Sequence, residues 1–309
     1  MRFERLDLNL LVALDALIED RSVSIAAKRI HLSQPALSGA LNRLREFFRD
    51  DLLVPLGRQM MLTPKAEELR GPVREALMLI RAKITTPGSF DPATAERQFT
   101  IIASDFVYNV LLVDVFAEAA VRAPGLVFDV LSTGKRGAEM MERGEADLLI
   151  TIPGYQNEAH PRVALFEDEH AIIAWKNGRY GDKLTEADFF AAQHAVVLFG
   201  RDRHPAFSET YFERQGVRRN IQLRVPTFAA LPAAVIGTDR IATMYSRHAA
   251  WFAQSLPIIV HRPPIAMPNV IEEVQWHRLK SSDPGLQWLV GLLRDCAAKM
   301  GPAGFGSPL

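Results

Sequence analysis

Cysteine is almost absent from this sequence, which has Cys296 as its single thiol among 309 residues. An internal disulfide is therefore excluded, and one cysteine in a chain of this length is typical of a reducing compartment. Long apolar runs are also missing, since no stretch reaches the ~18 uninterrupted apolar residues of a membrane span. The opening MRFERLDLNL carries acids where a signal peptide has an apolar segment. We expect a cytoplasmic protein without a membrane partner.

An excess of charge of either sign is missing as well, because 36 lysines and arginines balance 36 aspartates and glutamates. This balance excludes a protein that coats nucleic acid through a uniformly basic surface. Hydrophobic residues make up 48% of the chain and charged residues 23%, which places it among ordinary globular proteins. The length is sufficient for two or three domains with cores of their own.

Sequence signatures of catalysis are missing too. The chain has no GxSxG elbow, no glycine-rich phosphate loop, no HExxH and no paired cysteine and histidine spacing of a metal site. Its eight histidines are scattered, and none stands three or four residues from another. We therefore expect no enzyme, no resident cofactor and no metal. Two alternatives stay open: a cytoplasmic ligand-binding protein, and an enzyme that uses a binding-protein-like fold.

The most informative stretch that is present covers 22–49, SVSIAAKRIHLSQPALSGALNRLREFFR. It predicts a short helix, a tight turn and a longer helix, which begins after the favourable N-cap residue Ser33 and has Pro35 in its first turn. Apolar residues at helical spacing predict the buried side of the longer helix. They are Leu37, Leu41, Leu44 and Phe48. The opposite side carries groups that can hydrogen-bond base edges and phosphates. These are Gln34, Ser38, Asn42 and Arg45.

Charge supports a DNA-binding role for this stretch locally. Within 21–49 six lysines and arginines accompany one acid, Glu46, so the net charge is +5. Phosphate contacts supply much of the affinity for DNA, and a small basic island suffices for a domain that binds as a dimer. A solvated helical hairpin inside an ordinary all-α domain fits the periodicity and the charge equally well.

The literal sequence favours the first interpretation. The segments LDLNLLVALDAL, SVSIAAKRIHLSQPALSGALNRLRE and LTPKAEEL resemble the winged helix-turn-helix of LysR-type transcriptional regulators. This resemblance is most specific over the first sixty-odd residues. The segments MRFERLDLNLLVALDALIEDR, GPVREAL, SFDP and GTDRIATM make the chain similar to the branch that holds NodD and NahR. The resemblance implies a transcription activator that binds double-stranded promoter DNA and a small phenolic or aromatic-acid inducer.

The resemblance also implies an architecture. The fold class is α/β, with a winged helix-turn-helix over 1–63 and a linker helix over 64–87 through which two copies dimerise. An effector-binding domain follows over 88–309, with two subdomains similar to those of periplasmic binding proteins. We expect the first subdomain at about 91–162 with 265–309, and the second at about 163–264. The family's dimers pair into tetramers, and RNA polymerase is a further candidate partner.

In the family the helix that begins at the SQPALS motif reads DNA. The residues assigned to DNA on this helix are Ser33, Gln34, Pro35, Ser38, Asn42, Arg43 and Arg45. By reach and chemistry the base readers are expected among the amide and hydroxyl side chains, and the arginines are expected at phosphates. The following stretch, 50–62, resembles the wing, where Arg58 would enter the minor groove. Pro55 departs from the family here, since an arginine is common at the base of its wing.

The predicted linker helix carries an apolar seam with alternating steps of four and three, as in a coiled coil. Its members are Leu69, Val73, Ala76 and Ile80. Pro72 stands inside this run and is expected to bend or weaken the helix. Packing of the helix on its own domain is the alternative to pairing with a second copy. The resemblance favours pairing, which palindromic DNA sites require.

Past the proline- and glycine-rich boundary at 85–97, strands alternate with helices. The expected strands are 98–103, 127–131 and 147–152, and the expected helices are 106–122 and 137–143. This alternation predicts a parallel, doubly wound sheet, in which ligands bind at the carboxyl ends of the strands.

These strand ends and the family's cleft select nine candidate effector-binding residues. They are Ser104, Asp105, Thr151, Pro153, His204, Thr227, Phe228, Tyr245 and Arg247. Ser104 also fits a plain N-cap and Phe228 a core position. Arg247 is the candidate for an effector carboxylate, because the NahR-like branch has an arginine there and a guanidinium suits bidentate contact. A structural role of Arg247, as a cap or in a salt bridge, is the alternative. The acids over 167–169 would repel a carboxylate and favour uncharged phenols.

Overall fold

The computed structural model describes residues 7–57, 59–80, 84, 89–134, 136–200 and 202–301. The chain divides into two compact units, residues 1–87 and 88–309. Among the described residues, every helix is too short or too polar to cross a membrane.

The first unit is a three-helix cluster followed by a hairpin and a fourth helix. Its elements are α1 (Leu8–Asp20), α2 (Val23–Arg29), α3 (Gln34–Phe48), β1 (Leu53–Leu56), β2 (Gln59–Leu62) and α4 (Pro64–Ile80). Serine side chains cap both helices of the helix-turn-helix, since Ser22 Oγ accepts from Ile25 N at 3.4 Å and Ser33 Oγ accepts from Ala36 N at 3.3 Å. Strand β1 pairs antiparallel with β2, and Gly57 takes the positive φ of 62° that the tight turn requires.

The core of this unit lies among α1, α2 and α3. Leu37, Leu41 and Leu44 are buried as their spacing predicts, and Phe48 packs partly exposed against the same core. Helix α1 supplies most of the opposing surface. Its buried residues are Leu10, Leu11, Ala13, Leu14, Ala16, Leu17 and Ile18. Because one side of α3 is committed to this core, its opposite side is left for solvent or a ligand.

Helix α4 continues through Pro72 without a break between Pro64 and Ile80. Val73 of the predicted seam is buried in the unit's own core, and Leu69 packs partly exposed against it. The Arg74 guanidinium, on the same helix, pairs with Asp15 at 3.0 Å and with Glu19 of α1. This part of the seam therefore packs on its own domain. Residues 81–83 and 85–87 of the predicted linker helix lie outside the described residues.

The second unit contains two sheets. Its strands are β3 (Arg97–Ala103), β4 (Leu126–Ser132), β5 (Leu148–Thr151), β6 (Arg162–Asp168), β7 (His170–Trp175), β8 (Gln193–Phe199), β9 (His204–Pro205), β10 (Asn220–Val225), β11 (Arg240–Tyr245), β12 (Ile258–His261) and β13 (Val270–Gln275). The strand order is β4-β3-β5-β13-β6 in one sheet and β10-β8-β11-β7-β12 in the other, with β9 on β8.

Both sheets are mixed, so the expectation of a wholly parallel sheet is wrong. Strand β3 runs parallel to β4 and β5, whereas β13 runs antiparallel to β5 and β6. In the second sheet β8 is parallel to β10 and β11, and β7 is antiparallel to β11 and β12. Alternation of strands and helices identified the parallel crossovers, but β13 returns from the far sheet and closes the first one in the opposite direction.

The change of sheet falls at Glu169, later than the expected boundary at 163. Strand β6 ends at Asp168 in the first sheet, and β7 begins at His170 in the second. One residue separates the two strands, so the sequence shows a single extended run. Only the pairing of β6 with β13 assigns it to the first sheet.

Helices cover the sheets and bury their apolar sides in one main core and two smaller clusters. They are α5 (Asp105–Val107), a π-helical turn (Tyr108–Leu112), α6 (Val113–Arg122), α7 (Gly137–Glu142), α8 (Glu186–Ala191), α9 (Phe207–Arg214), α10 (Leu231–Val235), α11 (Ser246–Ala253) and α12 (Pro284–Lys299), with 3-10 turns at Phe228–Ala230 and Arg278–Lys280. The predicted helix over 106–122 is thus divided by the π turn. The main core takes buried residues from both sheets, among them Ile101 of β3 and Ala171 of β7.

Candidate DNA-binding face and ligand pocket

The outward side of α3 presents a short polar face. Gln34 and Asn42 are exposed and Ser38 is half-buried between them at helical spacing. Arg43 is exposed beside this face, and Ser33 and Pro35 form its amino-terminal end. The structure therefore places three hydrogen-bonding side chains on one side of the helix, as major-groove reading requires, and Arg45 Nη1 lies 3.5 Å from Asn42 Oδ1.

Arg45 is engaged within the protein. Its Nε donates to the carbonyl oxygen of Asp51 at 2.8 Å, and its Nη2 donates to that of Leu53 at 2.9 Å. The guanidinium thus fastens α3 to the start of the wing hairpin. Spacing alone did not reveal this role, because it depends on how the chain turns after the helix.

The basic island is partly neutralised by ion pairs. Arg29 pairs with Asp20 at 2.8 Å, and Arg21 pairs with Glu67 at 3.7 Å. Three exposed bases of the island have no ion-pair partner within the described part of the chain. They are Lys28, Arg43 and Arg49. Arg58, the predicted wing residue, lies outside the described residues.

A pocket with a volume of about 50 Å³ lies between the two sheets of the second unit. Its lining residues are Ser104, Thr133, Ile150, Thr151, Ile152, Tyr155, Phe199, His204, Pro205, Ala206, Phe207, Phe228, Tyr245 and Glu272. Most of them stand at or just after the carboxyl ends of β3, β4, β5, β8, β10 and β11. Ligands of open α/β sheets bind at this edge, so the topology itself forms the site.

Aromatic rings form much of the pocket wall. The rings of Phe228 and Tyr245 are 5.1 Å apart, and those of Phe199 and Phe228 are 5.5 Å apart, measured between centroids. On another side Tyr155 and His204 meet edge to face at 5.4 Å. Such walls suit a flat, apolar ligand, because ring pairs favour offset or edge contacts at these separations.

Five of the nine candidate effector residues line this pocket. They are Ser104, Thr151, His204, Phe228 and Tyr245. Ser104 has both of its expected roles in the fold. Its Oγ accepts from Val107 N at 3.2 Å as an N-cap, and the residue also lines the pocket. The same is true of Phe228, which is 3% exposed and belongs to the core as well as to the lining.

Four candidates lie outside the lining. Pro153 is exposed beyond the end of β5, and Thr227 precedes the 3-10 turn at Phe228. Asp105 connects the two sheets, since its carboxylate accepts from the backbone N–H groups of Phe228 and Ala229. Burial raises the pKa of Asp105, and these hydrogen bonds oppose that rise. Asp105 therefore shapes the pocket from behind its wall.

Arg247 is the fourth candidate outside the lining. Its Nη1 donates to the carbonyl oxygen of Met300 at 3.0 Å, and its Nη2 donates to that of Gly301 at 2.9 Å. Both acceptors lie at the end of α12, where helix carbonyls lack intrahelical partners. The alternative structural role accounts for these contacts.

Glu272 is the lining residue that sequence reasoning missed most clearly. It lies on β13, is 4% exposed, and its Oε2 has no hydrogen-bond partner among the described residues. Burial, aided by the negative charge of Asp168, raises the pKa of Glu272 from 4.5 to about 8. A signal was available in VIEEVQ, because period-two alternation puts Glu272 on the same side as Val270 and Val274.

A second cluster, Glu142, His160 and His277, has ligand atoms within 4.8 Å of one another. Its chemistry fits hydrogen bonding better than a metal. His277 Nδ1 accepts from Leu279 N at 3.2 Å, which puts the proton of the neutral ring on Nε2, the atom nearer Glu142. Metal-bound histidines instead donate from their second nitrogen. His160 Nε2 lies 2.6 Å from Glu142 Oε2, so the cluster ties α7 to the neighbouring loops.

A helix-turn-helix with an exposed polar face, joined to a two-sheet domain with a pocket at its strand ends, defines a DNA-binding regulator with a small-molecule-binding domain. Two family patterns match the chain: the bacterial regulatory helix-turn-helix protein of the lysR family over residues 8–67, and the LysR substrate binding domain over residues 93–298. The chain belongs to the LysR family of bacterial transcriptional regulators, and the expected resemblance is confirmed.

Relatives cover the full length of the chain. It is 39% identical over 301 residues to nodulation protein D 3 of Rhizobium leguminosarum bv. phaseoli, covering 97% of this chain and 100% of that protein. Full-length OxyR from Pseudomonas aeruginosa matches in structure with a TM-score of 0.70 at 15% identity, over 98% of this chain and 99% of that one. Full-length CbnR complexed with its target DNA matches with a TM-score of 0.51 at 17% identity, over 94% and 100%. The fold class is thereby confirmed, and these relatives are regulators rather than enzymes.

Proposed function

We propose that this regulator is a cytoplasmic activator whose promoter binding is controlled by a small aromatic effector in the pocket between its two sheets. One observation carries the proposal: the aromatic-walled pocket draws its lining from the carboxyl strand ends of both sheets. A ligand that touches both sheets changes the free energy of their relative arrangement. Only the difference in its affinity for two arrangements shifts the protein between them.

The DNA-reading part of the proposal assigns base contacts to Gln34, Ser38 and Asn42. Their exposure on one side of α3 supports it, together with the reach of amide and hydroxyl groups to base edges. Arg43 is assigned to a phosphate because it is exposed and has no ion-pair partner in the described part of the chain. Arg45 is reassigned to positioning the wing, which keeps α3 and the hairpin in register on the duplex.

Self-association completes the proposed regulator. Two recognition helices in successive major grooves require a two-fold dimer. Helix α4 supports this assignment, since Leu79 is 46% exposed and Ile84, beyond the end of the helix, is 74% exposed, whereas Val73 packs inward. Tetramer formation and contact with RNA polymerase are carried over from the family resemblance. We also propose that the DNA-binding domain ends at residue 63, that the linker helix ends at residue 87, and that the effector-binding domain begins at residue 88.

Calorimetry of the full chain against uncharged phenols, aryl ketones and aromatic acids tests the effector assignment, with footprinting of a promoter fragment as the second readout. We expect at least one aromatic ligand to bind and to change the footprint. Thr133→Phe places a ring in the pocket and is expected to abolish binding, whereas Thr94→Phe, in an exposed turn outside the lining, is expected to leave it unchanged. Equal binding by both variants would place the effector site elsewhere.

A further inference from the structure

The pocket wall contains a buried acid that an apolar aromatic site does not require. Glu272 faces inward from β13, with Phe166 as its cross-strand partner in β6. Its side chain is almost fully buried, and Oε2 has no hydrogen-bond partner in the described part of the chain. A buried polar atom without a partner carries a desolvation cost on the order of 1–3 kcal/mol. Because this oxygen lies in the pocket wall, its missing partner points to one supplied by the ligand.

We propose that the neutral carboxyl group of Glu272 is the polar contact for the effector and selects an uncharged aromatic molecule with a carbonyl or hydroxyl oxygen over an aromatic carboxylate. In this form Glu272 donates its O–H to the ligand oxygen, and its second oxygen accepts from a ligand hydroxyl where one is present. The inference rests on the proposed function, since it takes this pocket as the effector site.

The charges around Glu272 support this selection. The titratable groups facing it are Asp168 of β6, Tyr245 of β11, Tyr155 after β5 and His204 of β9. Burial and the charges of Glu272 and Asp168 raise the pKa of Tyr245, so its phenol is neutral near pH 7. None of the described lining residues is a lysine or an arginine. A ligand carboxylate would therefore be buried beside an acid without a countercharge, which is costly.

The imidazole of His170 supplies no positive charge to the pocket either. His170 packs against Tyr245 and Phe207, with ring centroids 5.2 and 5.9 Å away. Burial lowers the pKa of His170 to about 4, so the ring is neutral at pH 7. Arg247, the guanidinium expected to bind a carboxylate, is held by carbonyl oxygens at the end of α12 instead. Neither His170 nor Arg247 therefore offers a positive charge to a ligand carboxylate in the pocket.

Size and pH limit the ligand further. A cavity of about 50 Å³ is smaller than a cavity that holds one benzene ring, about 150 Å³, so an aromatic ligand must separate the pocket walls, and one-ring ligands require the least separation. Ionisation of Glu272 removes the donated proton and places a negative charge against the ligand oxygen. With a pKa of about 8 for Glu272, roughly one molecule in ten keeps the proton at pH 9, and apparent affinity falls by about tenfold in proportion to that fraction.

Two probes of matched shape test the proposal on the full chain: 4-methoxyacetophenone, which is uncharged at every working pH, and 4-methoxybenzoate. Calorimetry at pH 6.5 and pH 9 is expected to show the ketone bound about tenfold or more tighter than the benzoate at pH 6.5, with a roughly tenfold loss for the ketone at pH 9. Glu272→Gln keeps a donor without a titratable proton and is expected to bind the ketone equally at both pH values. Glu272→Met removes the donor and is expected to bind it about tenfold more weakly at pH 6.5.

Glu273→Gln is the matched control, because Glu273 is the next residue of β13, lies 3.5 Å from Arg162, and is not in the pocket lining. It is expected to behave as the unmodified protein does.

Tighter binding of the benzoate than the ketone, or unchanged ketone affinity and pH dependence in both Glu272 variants, would overturn the inference while the pocket assignment stands. Failure of Thr133→Phe to block a ligand that does bind would instead overturn the proposed function. Carbon-13 NMR titration of the Glu272 carboxyl provides a readout that needs no ligand.

Discussion

Asp105 and Phe228 are joined behind the wall of the ligand pocket by a hydrogen bond that spans 123 positions of the sequence. Asp105 Oδ1 accepts from Phe228 N at 3.2 Å, and Oδ2 accepts from Ala229 N at 2.7 Å. Asp105 follows β3 of one sheet, and Phe228 follows β10 of the other. The aromatic ring that forms part of the pocket wall is therefore positioned by a carboxylate from the opposite subdomain.

Asp105→Asn is expected to weaken this connection, because an amide can accept one of the two N–H groups while its NH₂ opposes the other. We expect a loss of about 1–2 kcal/mol in the free energy of unfolding and weaker binding of any ligand that contacts Phe228. Urea unfolding and ligand calorimetry measure these effects. Asp129→Asn, at an exposed position of β4, is the control and should change neither quantity.

Ser38→Glu is expected to abolish specific DNA binding. The variant puts a carboxylate into the polar face of α3, where it meets phosphates and base acceptors. The loss should reach about 100-fold, since it combines a lost contact worth about 1–3 kcal/mol with charge repulsion. Footprinting with circular dichroism checks binding and fold together. Ser255→Glu, exposed in the second unit, should bind normally, and an unchanged footprint for Ser38→Glu would count against the assigned face.

Arg43→Ala and Arg45→Ala are expected to separate DNA contact from domain stability. Loss of Arg43 should weaken binding to all sequences and reduce the slope of log affinity against log salt by about 1. Loss of Arg45 should lower the melting temperature of the first unit, because the carbonyl oxygens of Asp51 and Leu53 lose a charged donor. Salt titrations of DNA binding measure the effect of Arg43→Ala, and thermal unfolding measures the effect of Arg45→Ala. The reverse pattern would return Arg45 to the DNA interface.

Arg247→Ala is expected to reduce stability and to leave effector affinity unchanged. Its guanidinium holds the carbonyl oxygens of Met300 and Gly301, and partly exposed charged hydrogen bonds of this kind contribute about 1–2 kcal/mol. Urea unfolding measures the first effect and calorimetry with the bound aromatic ligand the second. A selective loss of affinity for aromatic carboxylates would show instead that Arg247 binds the effector.

Glu272 makes the stability of the second unit depend on pH. Its pKa is about 8 when folded and 4.5 in the unfolded reference, so the folded state holds the extra proton between these values. Its contribution to stability is therefore complete below pH 4.5 and is lost as pH rises through 8. The loss is on the order of 5 kcal/mol over the window, or about 1.4 kcal/mol per pH unit. Glu272→Gln should flatten this decline in urea unfolding at pH 6, 7 and 8.5, and a parallel decline in the variant would contradict the assignment.

Local features were predictable from the sequence because they depend on neighbours in the chain. Ser33 begins α3 because a hydroxyl can cap the first turn, and Leu37, Leu41 and Leu44 are buried because helical spacing puts them on one side. The sequence also located the ends of β3 and β11 closely enough to predict that Ser104 and Tyr245 line the pocket. The carbonyl partners of Arg45 and Arg247 and the burial of Glu272 were not predicted, since they depend on how the chain turns after α3 and on contacts between elements far apart in the sequence.

The amino-acid sequence by itself determined the family, the helix-turn-helix and the first strands and helices of the second unit, because these follow from motifs and periodicities of a few residues. Tertiary structure alone decided the direction of β13, the change of sheet at Glu169 and the charge of the pocket wall. The physical reason is burial: a carboxyl group is acidic or neutral, and a guanidinium is available or engaged, according to groups that folding brings from elsewhere in the chain. Glu272 beside Asp168 acquires its neutral state only when β6 and β13 pair.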